Sequence, residues 1–512
     1  MSITKSVVSD RRFLLILGLA LIRGMVYAST LPPWGLNDEQ QHFHYIQSIV
    51  ESGSIPVVGR DYISSEIAIS SYQTRRREVF HWPPYPSLYP QDWGLEGHSY
   101  EGYQPPLYYL LLAPIYWTVS LISSDLLVKL QVLKWSSVLL SALTLSLLYC
   151  IAVSLFPTKR FVPYALGALM VWWPERTMAT SRVNNDVLIE VLGATLYVLL
   201  VKCASQEGVS KRDSLLVGTV FSLGLLTKIT FLPWVVSIFY VFWLHRKNRG
   251  LELLLVAGIP LLITAPYIIR NFLIYGDPTG FSAFQKLAGP VSAPERTMAG
   301  FVKSVADLLM YLWVVWWKGA TAGGSLLVRR IFRVYFSFFY FLVGLGVARF
   351  LTRYKQMEKS VRVLFGLNLV TLGAFSLSVL SSYYAGRIPI LQGRFMLPAA
   401  LPILIFITNS LLQFRQGEKL LAVFSLSFAA IDTAQLFVNL LPYFYYWSAF
   451  AGKNISPSDH ITLFDAWGVF IERFLSDKPA GLQWLITGLM IAYISLSFRW
   501  IYELRKKGNA WG

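Results

Sequence analysis

With 512 residues, 55% of them hydrophobic and only 14% charged, the chain is too apolar for a soluble globular protein. The net charge of +17 would suit a nucleic-acid partner. The Lys and Arg residues fall mainly in short loops between apolar runs, as the positive-inside rule requires, so nucleic acid is set aside. The two cysteines, Cys150 and Cys203, lie in apolar or membrane-edge segments without metal or disulfide spacing.

Apolar runs of membrane-spanning length recur from Phe13 to Trp500 and predict an all-α polytopic membrane protein. The first, 13–30, lacks a small-x-small cleavage site before the proline-rich turn that follows and reads as a retained helix. Lys5, Arg11 and Arg12 before it place the N-terminus in the cytoplasm. The chain then enters a long outer loop, 31–132, opening on LPPWGLNDEQQHFHYIQSIVESGSIPV (31–57). Its N-D-E-Q approximates a capping box, with Asn37 as N-cap and Gln40 at the third helical position. Phe43, Ile46, Ile49 and Val50 give one apolar face, which predicts an amphipathic helix lying on the membrane. Asp38 and Glu39 occupy its first turn, and His42, four residues after Asp38, shares its face. Acidic residues favour helix starts, but that alone does not account for an acidic dyad with two histidines at the bilayer exit.

Further along the loop, EGYQPPLYY (101–109) sets Glu101 and Gln104 ahead of a double proline. PPLYYLLLAPIYWTVSL (105–121) carries Pro114 in its middle and fits the loop parity as an interfacial helix. Spans two to seven are expected near 133–155, 161–174, 186–203, 212–228, 230–244 and 251–270. Between the third and fourth, WWPERTMATSRVNNDVL (172–188) places Glu175, Arg176, Arg182, Asn184, Asn185 and Asp186 on the outer side. Lys228 lies within the apolar run LGLLTKITFLPW, a costly position that marks a functional candidate, and Arg270 closes the seventh span. A second outer loop, 271–329, holds the aromatic-rich 302–320, also read as interfacial. The last five spans are expected near 330–349, 362–382, 395–413, 419–440 and 482–500, with outer loops at 383–394 and 441–481. Arg387 and Arg394 stand on the outer face against the charge rule, and Gly393 leaves room beside Arg394 for close approach of a ligand. This gives about twelve helices in one domain over 1–512: the first span 1–30, the loop 31–132, helices two to seven 133–270, the outer loop 271–329 and C-terminal helices 330–512. Both termini are then cytoplasmic in a multi-pass cell membrane (inner or plasma) protein, with membrane lipids as its surroundings.

An ordered set of motifs carries a resemblance: N-D-E (37–39), Q-P-P-L-Y-Y (104–109), S-R-V-N-N-D (181–186), G-L-L-T-K (224–228) and Q-G-R-F-M-L-P (392–398). Together they are similar to the GT-C superfamily of multi-spanning glycosyltransferases, especially bacterial members related to aminoarabinose and protein O-mannosyl transferases. The resemblance implies a GT-C-like fold, a polyprenyl-phosphate-linked sugar donor and inverting transfer to an acceptor hydroxyl or amine on the outer face. In that superfamily an acidic residue of the first outer loop is the catalytic base, and Asp38 is the position that matches, with Glu39 beside it. His42, Gln104, Asn185, Asp186, Lys228, Arg270 and Arg394 are the expected substrate-binding residues, the cations among them meeting charge on the phosphate. Some members bind a metal through D-x-D; here the acids are adjacent, which leaves a divalent metal open with Asp38, Glu39 and His42 as its candidate ligands and requires no other cofactor. A transporter or lipid flippase is the alternative, opposed by the surface position of the polar cluster and the lack of a repeat. A polysaccharide polymerase or ligase with a diphosphate-linked donor is the second.

Overall fold

The computed structural model describes residues 9–31, 33–34, 38–77, 87–245, 250–289, 294, 297–314, 326–385, 393–434, 436 and 481–508. Asn37, Lys318, Arg387 and nearly all of the loop 441–481 lie outside them. Regular structure among the described residues is helical, with one isolated antiparallel bridge between Tyr62 and His98. Eight helical stretches are long and apolar enough to cross a bilayer: Arg11–Thr30, Leu126–Leu155, Asp186–Ser205, Gly250–Tyr275, Val334–Thr352, Lys359–Tyr384, Gly393–Leu411 and Leu482–Leu504. The protein is an all-α, multi-pass membrane protein.

Taken in chain order, the helices that frame the site are α1 (Arg11–Thr30), α2 (Glu39–Glu51), α3 (Ser65–Arg77), α4 (Leu107–Ser120) and α5 (Leu126–Leu155). They are followed by α6 (Val162–Val171), α7 (Pro174–Thr180), α8 (Asp186–Ser205), α9 (Lys211–Leu225), α10 (Trp234–Leu244) and α11 (Gly250–Tyr275). Then come α12 (Phe281–Ala288), α13 (Met298–Val314), α14 (Leu326–Thr352), α15 (Lys359–Tyr384), α16 (Ala400–Leu411), α17 (Gly417–Ala434) and α18 (Leu482–Gly508). The expected spans at 161–174, 212–228, 230–244 and 419–440 appear as α6, α9, a run from Ile229 to Leu244, and α17, all shorter or more polar than the eight. Pro174 restarts the chain as α7 after Trp172 and Trp173, and the chain breaks between α9 and α10, where Lys228 is extended.

α1 packs on α5 and α18; α5 packs on α6 and α8; α8 packs on α9 and on the 3-10 helix Gly393–Ala399 that leads into α16. Glycine allows two of these contacts to be close. A Cβ on Gly24 of α1 would lie 2.6 Å from Val138 of α5, and one on Gly193 of α8 would lie 2.2 Å from the Pro398 carbonyl oxygen. Buried ion pairs tie other helices: Arg23 of α1 with Asp432 of α17, joined by Tyr27, and Arg176 of α7 with Glu190 of α8 at 2.5 Å. In contrast α11 shows Leu254, Leu261, Leu262, Phe272 and Leu273 outward, an apolar face suited to lipid.

Two expectations for the first loop are corrected. The helix begins at Glu39, with Asp38 as an N-cap in the left-handed region (φ 59°, ψ 27°) that makes no side-chain cap bond. The Gln40 side-chain amide donates to Glu96, 2.9 Å away, while Gln41 donates to the Glu96 carbonyl at 2.8 Å. Nor does α2 lie on a surface. Every residue from Glu39 to Ser48 is buried, because α4 and the 3-10 helices Pro90–Gly97 and Tyr100–Tyr103 cover the polar face that the periodicity assigned to solvent. Tyr45 stacks on Tyr109 of α4 at 3.7 Å between ring centroids. α4 is 14 residues, roughly 21 Å, too short to cross a hydrocarbon core of about 30 Å unaided.

Candidate active site

Asp38, His42, Asp186, Lys228 and Arg394 come from five points in the sequence and meet at one end of the helices. Asp38 follows α1, Asp186 begins α8, Lys228 follows α9 and Arg394 lies in the 3-10 helix before α16. The loops assigned to the cytoplasm meet elsewhere, where Arg12 donates to the Arg160 carbonyl and Lys159 pairs with Glu418 at 3.1 Å.

The left-handed backbone at Asp38 turns its carboxylate away from the amides of α2, a conformation Asp tolerates better than most residues. One oxygen accepts from the Tyr100 hydroxyl at 2.7 Å and the other from the Arg394 guanidinium at 3.1 Å. Lys228 donates to Asp186 Oδ1 at 2.6 Å, and Arg394 lies 3.9 Å from Asp186 Oδ2. Arg394 is thereby shared between the two carboxylates, and Lys228 adds a second cation at Asp186. Asn184 accepts from the Asp186 amide at 2.8 Å and fixes the start of α8. Asn185 contacts the Gln104 side chain at 3.5 Å and the Thr227 carbonyl at 3.4 Å, so the S-R-V-N-N-D and G-L-L-T-K segments are held together beside Q-P-P. A Cβ on Gly393 would lie 2.8 Å from the Glu175 side chain, so the open space beside Arg394 borders on Glu175.

Glu39 points the other way. Fully buried, it accepts from the backbone amides of Trp34 (3.1 Å) and Val183 (3.2 Å), and lies 3.3 Å from Lys134 and 3.8 Å from Arg182. Its carboxylate is spent anchoring the loop after α1 to α5 and to the segment before α8, which corrects the expectation that it shares the chemistry of Asp38. Arg270 is also occupied elsewhere: it donates to the Pro56 carbonyl at 3.1 Å and to Asn271 at 2.9 Å. It braces the turn after α2 and is not gathered with Lys228 and Arg394.

The group that sequence reasoning noted without nominating is Glu101. Its carboxylate, with a ligand atom each from Asp38 and His42, forms a set lying within 4.8 Å of one another. Glu101 Oε2 is buried without a hydrogen-bond partner among the described residues. The signal available was the acid four residues before a double proline; its meeting with Asp38, 63 positions away, is a tertiary event. Burial first, and then repulsion from Asp38, push the Glu101 carboxyl up to about 7 against the pull of Lys228 and Arg394. At Asp38 burial also acts upward, but Arg394, His42 and the Tyr100 hydroxyl outweigh it and hold the carboxyl below its ordinary value. Burial takes His42 down to about 3, so its ring is neutral, stacked on Tyr109 with Nδ1 2.8 Å from the Tyr109 hydroxyl.

Asp38, His42 and Glu101 have the donor types of a divalent-metal site, but their surroundings do not fit one. Both Asp38 oxygens already receive hydrogen bonds, one from a guanidinium, and Lys228 adds a second cation to the same cluster. Glu39, the remaining candidate ligand, is held in its own ion pairs.

No protein-family model matches the sequence, and no curated protein does. Among solved structures the chain is similar to the crystal structure of ArnT from Cupriavidus metallidurans bound to undecaprenyl phosphate. The TM-score is 0.50 at 11% identity, over 96% of this chain and 73% of that one. The fold is GT-C-like. The apo form of the same ArnT gives a TM-score of 0.46 at 10% identity, with the same coverage. In this GT-C-like chain the acids and cations of the expected motifs converge, with Glu39 and Arg270 diverted to structural work.

Proposed function

We propose that the protein is a membrane glycosyltransferase that moves a sugar from a polyprenyl-phosphate donor to an acceptor hydroxyl or amine, with inversion, on the extracytoplasmic face. The observation that carries this reading is Arg394 standing between Asp38 and Asp186, with Lys228 paired to Asp186, at one end of the helices. A polyprenyl tail stays in the bilayer, so its phosphate must be met at headgroup height, and a cluster at one end of the helices suits that requirement. The leaving phosphate is already ionised and needs no general acid, unlike glycoside hydrolysis, which assigns two carboxyl roles. It needs cations to receive its growing charge, and a carboxylate to take the acceptor's proton. Arg394 can engage phosphate oxygens through two parallel hydrogen bonds, and Lys228 adds a point charge. The ArnT of similar fold was crystallised with undecaprenyl phosphate, which favours the same lipid class here.

Binding of undecaprenyl phosphate to the purified protein in nanodiscs tests the reading. Removing a charge-assisted hydrogen bond is worth about 1.5–3 kcal/mol, so Arg394→Ala should weaken binding roughly 10- to 100-fold. A wild-type protein that binds undecaprenyl phosphate no better than the Arg394→Ala, Lys228→Ala double variant would reject the proposal.

A further inference from the structure

Glu101 and Asp38 lie in one cluster, yet their environments differ: Glu101 is buried and the Asp38 side chain is 31% exposed. Both Asp38 oxygens have partners: Tyr100 donates to one and Arg394 to the other. A proton arriving there would cancel the charge that holds the guanidinium. Glu101 Oε2 has no hydrogen-bond partner among the described residues and is buried, so an acceptor hydroxyl placed beside it would supply the hydrogen bond it lacks. We infer that Glu101, rather than Asp38, takes the proton of the attacking acceptor, while Asp38 stays ionised to hold Arg394 and Tyr100 in place. The inference rests on the glycosyl-transfer reading and deepens it.

The charged and titratable groups around Glu101 agree. Asp38 and His42 face it from the start of α2, Lys228 from the break after α9 and Arg394 from the 3-10 helix before α16. From its own segment come Tyr100 and Tyr103, with Tyr109 from α4 and Tyr45 from α2, all neutral phenols. α12 brings only the Phe281 and Phe284 rings against Tyr100 and Tyr103. His42 is neutral, so Asp38 and Glu101 remain two like charges in one cluster, and the less compensated one protonates first.

The step balances. The acceptor oxygen or nitrogen forms a bond to the anomeric carbon as its proton passes to Glu101. The bond from that carbon to the phosphate oxygen breaks, and its electron pair stays on the lipid phosphate, which gains one negative charge facing Arg394 and Lys228. Glu101, now neutral, returns its proton to water.

Three measurements on the full-length protein test this. Infrared difference titration should show a carboxyl band that changes near pH 7 in the wild type and is missing from Glu101→Gln. Undecaprenyl-phosphate-linked aminoarabinose, glucose and mannose serve as donors, with release of undecaprenyl phosphate as the readout. Glu101→Gln should cut kcat by about 10²–10⁴-fold and remove the acid limb of the pH profile, with little change in donor KM. Glu101→Asp should recover part of the rate with a displaced limb, which a merely structural role would not produce. Binding of undecaprenyl phosphate itself should be unaffected by Glu101→Gln; failure of the wild type to bind it would strike the functional reading instead. An absent titrating band, or a Glu101→Gln variant that keeps the acid limb, overturns the inference.

Discussion

At the scale of single residues the site depends on opposite charges held close in a buried setting, and each pair makes a separate claim. Arg394→Lys should raise donor KM measurably and Arg394→Ala should raise it more, because lysine keeps the charge but loses the fork. Donor-concentration curves at matched protein levels read this directly; identical curves for the two variants would remove Arg394 from the phosphate. Asp38→Asn should abolish transfer by the loss of Arg394's partner. The pH dependence of stability differs in sign between the two acids. Asp38 has a lowered folded-state pKa, so its stabilisation is present above the ordinary carboxyl value and is lost as pH falls through the lowered one. Glu101 has a raised pKa of about 7, so the folded state binds its proton more tightly than the unfolded state does. Its contribution therefore falls as pH rises from about 4.3 through 7. The shift sets an upper bound of about 3–4 kcal/mol on this penalty. Glu101→Gln should accordingly raise the thermal midpoint at pH 8 relative to wild type more than it does at pH 4.5. A midpoint difference that is the same at both pH values would contradict the raised pKa.

At the scale of elements, the 3-10 helix Gly393–Ala399 matters most, because it carries Arg394 and is seated on α8 without a side chain between them. Gly193 meets the Pro398 carbonyl so closely that Gly193→Ala must push the segment outward. Overpacking of this kind costs about 1–3 kcal/mol, and here it should also weaken undecaprenyl phosphate binding by displacing Arg394. Thermal midpoint and lipid affinity measured on one preparation distinguish this from a purely local defect: a lower midpoint with unchanged affinity would separate α8 packing from the site. Gly224 has the same role on the other side, since a Cβ there would enter the Phe231 ring just beyond Lys228. The buried α2 shows how an element's sequence pattern can mislead. Its apolar stripe was legible, but its polar face, Gln40, Gln41 and His42, meets partners 55 or more residues away.

At the scale of the whole molecule, two features can be tested without any substrate. The turn between α4 and α5 is exposed at Ser124 and belongs to the first loop, which we place outside. Ser124→Cys should react with an impermeant maleimide in intact cells; reaction only after permeabilisation would mean that α4 crosses the membrane. The pair Arg23–Asp432 joins α1 to α17 in the bundle interior. Breaking one partner of a buried pair costs about 3–5 kcal/mol, so Asp432→Ala should lower the thermal midpoint strongly. An Arg23→Met, Asp432→Leu double variant should recover much of that loss, since an apolar pair leaves no buried charge unmatched.

The sequence by itself determined the solvent of this protein, the order of its helices and the identity of most polar groups at one end. These follow from local quantities: run length against bilayer thickness, loop charge, and capping or breaking residues near each helix end. The motifs around Asp38, Gln104, Asn185, Asp186, Lys228 and Arg394 were readable because each is a short polar interruption beside an apolar run. Only the tertiary structure decided which neighbouring residues part company. Asp38 and Glu39 are adjacent, yet a left-handed turn sends one carboxylate to Arg394 and Tyr100 and leaves the other with Lys134 and Arg182. Arg270 carried the same outer-face signal as Arg394 but is spent on the Pro56 carbonyl. Glu101, unremarkable in its own segment, gains its significance by lying beside Asp38 with a buried oxygen that has no hydrogen-bond partner among the described residues. Charge is assigned by composition; the work a charge does is assigned by its partners, and helix packing chooses those across hundreds of residues.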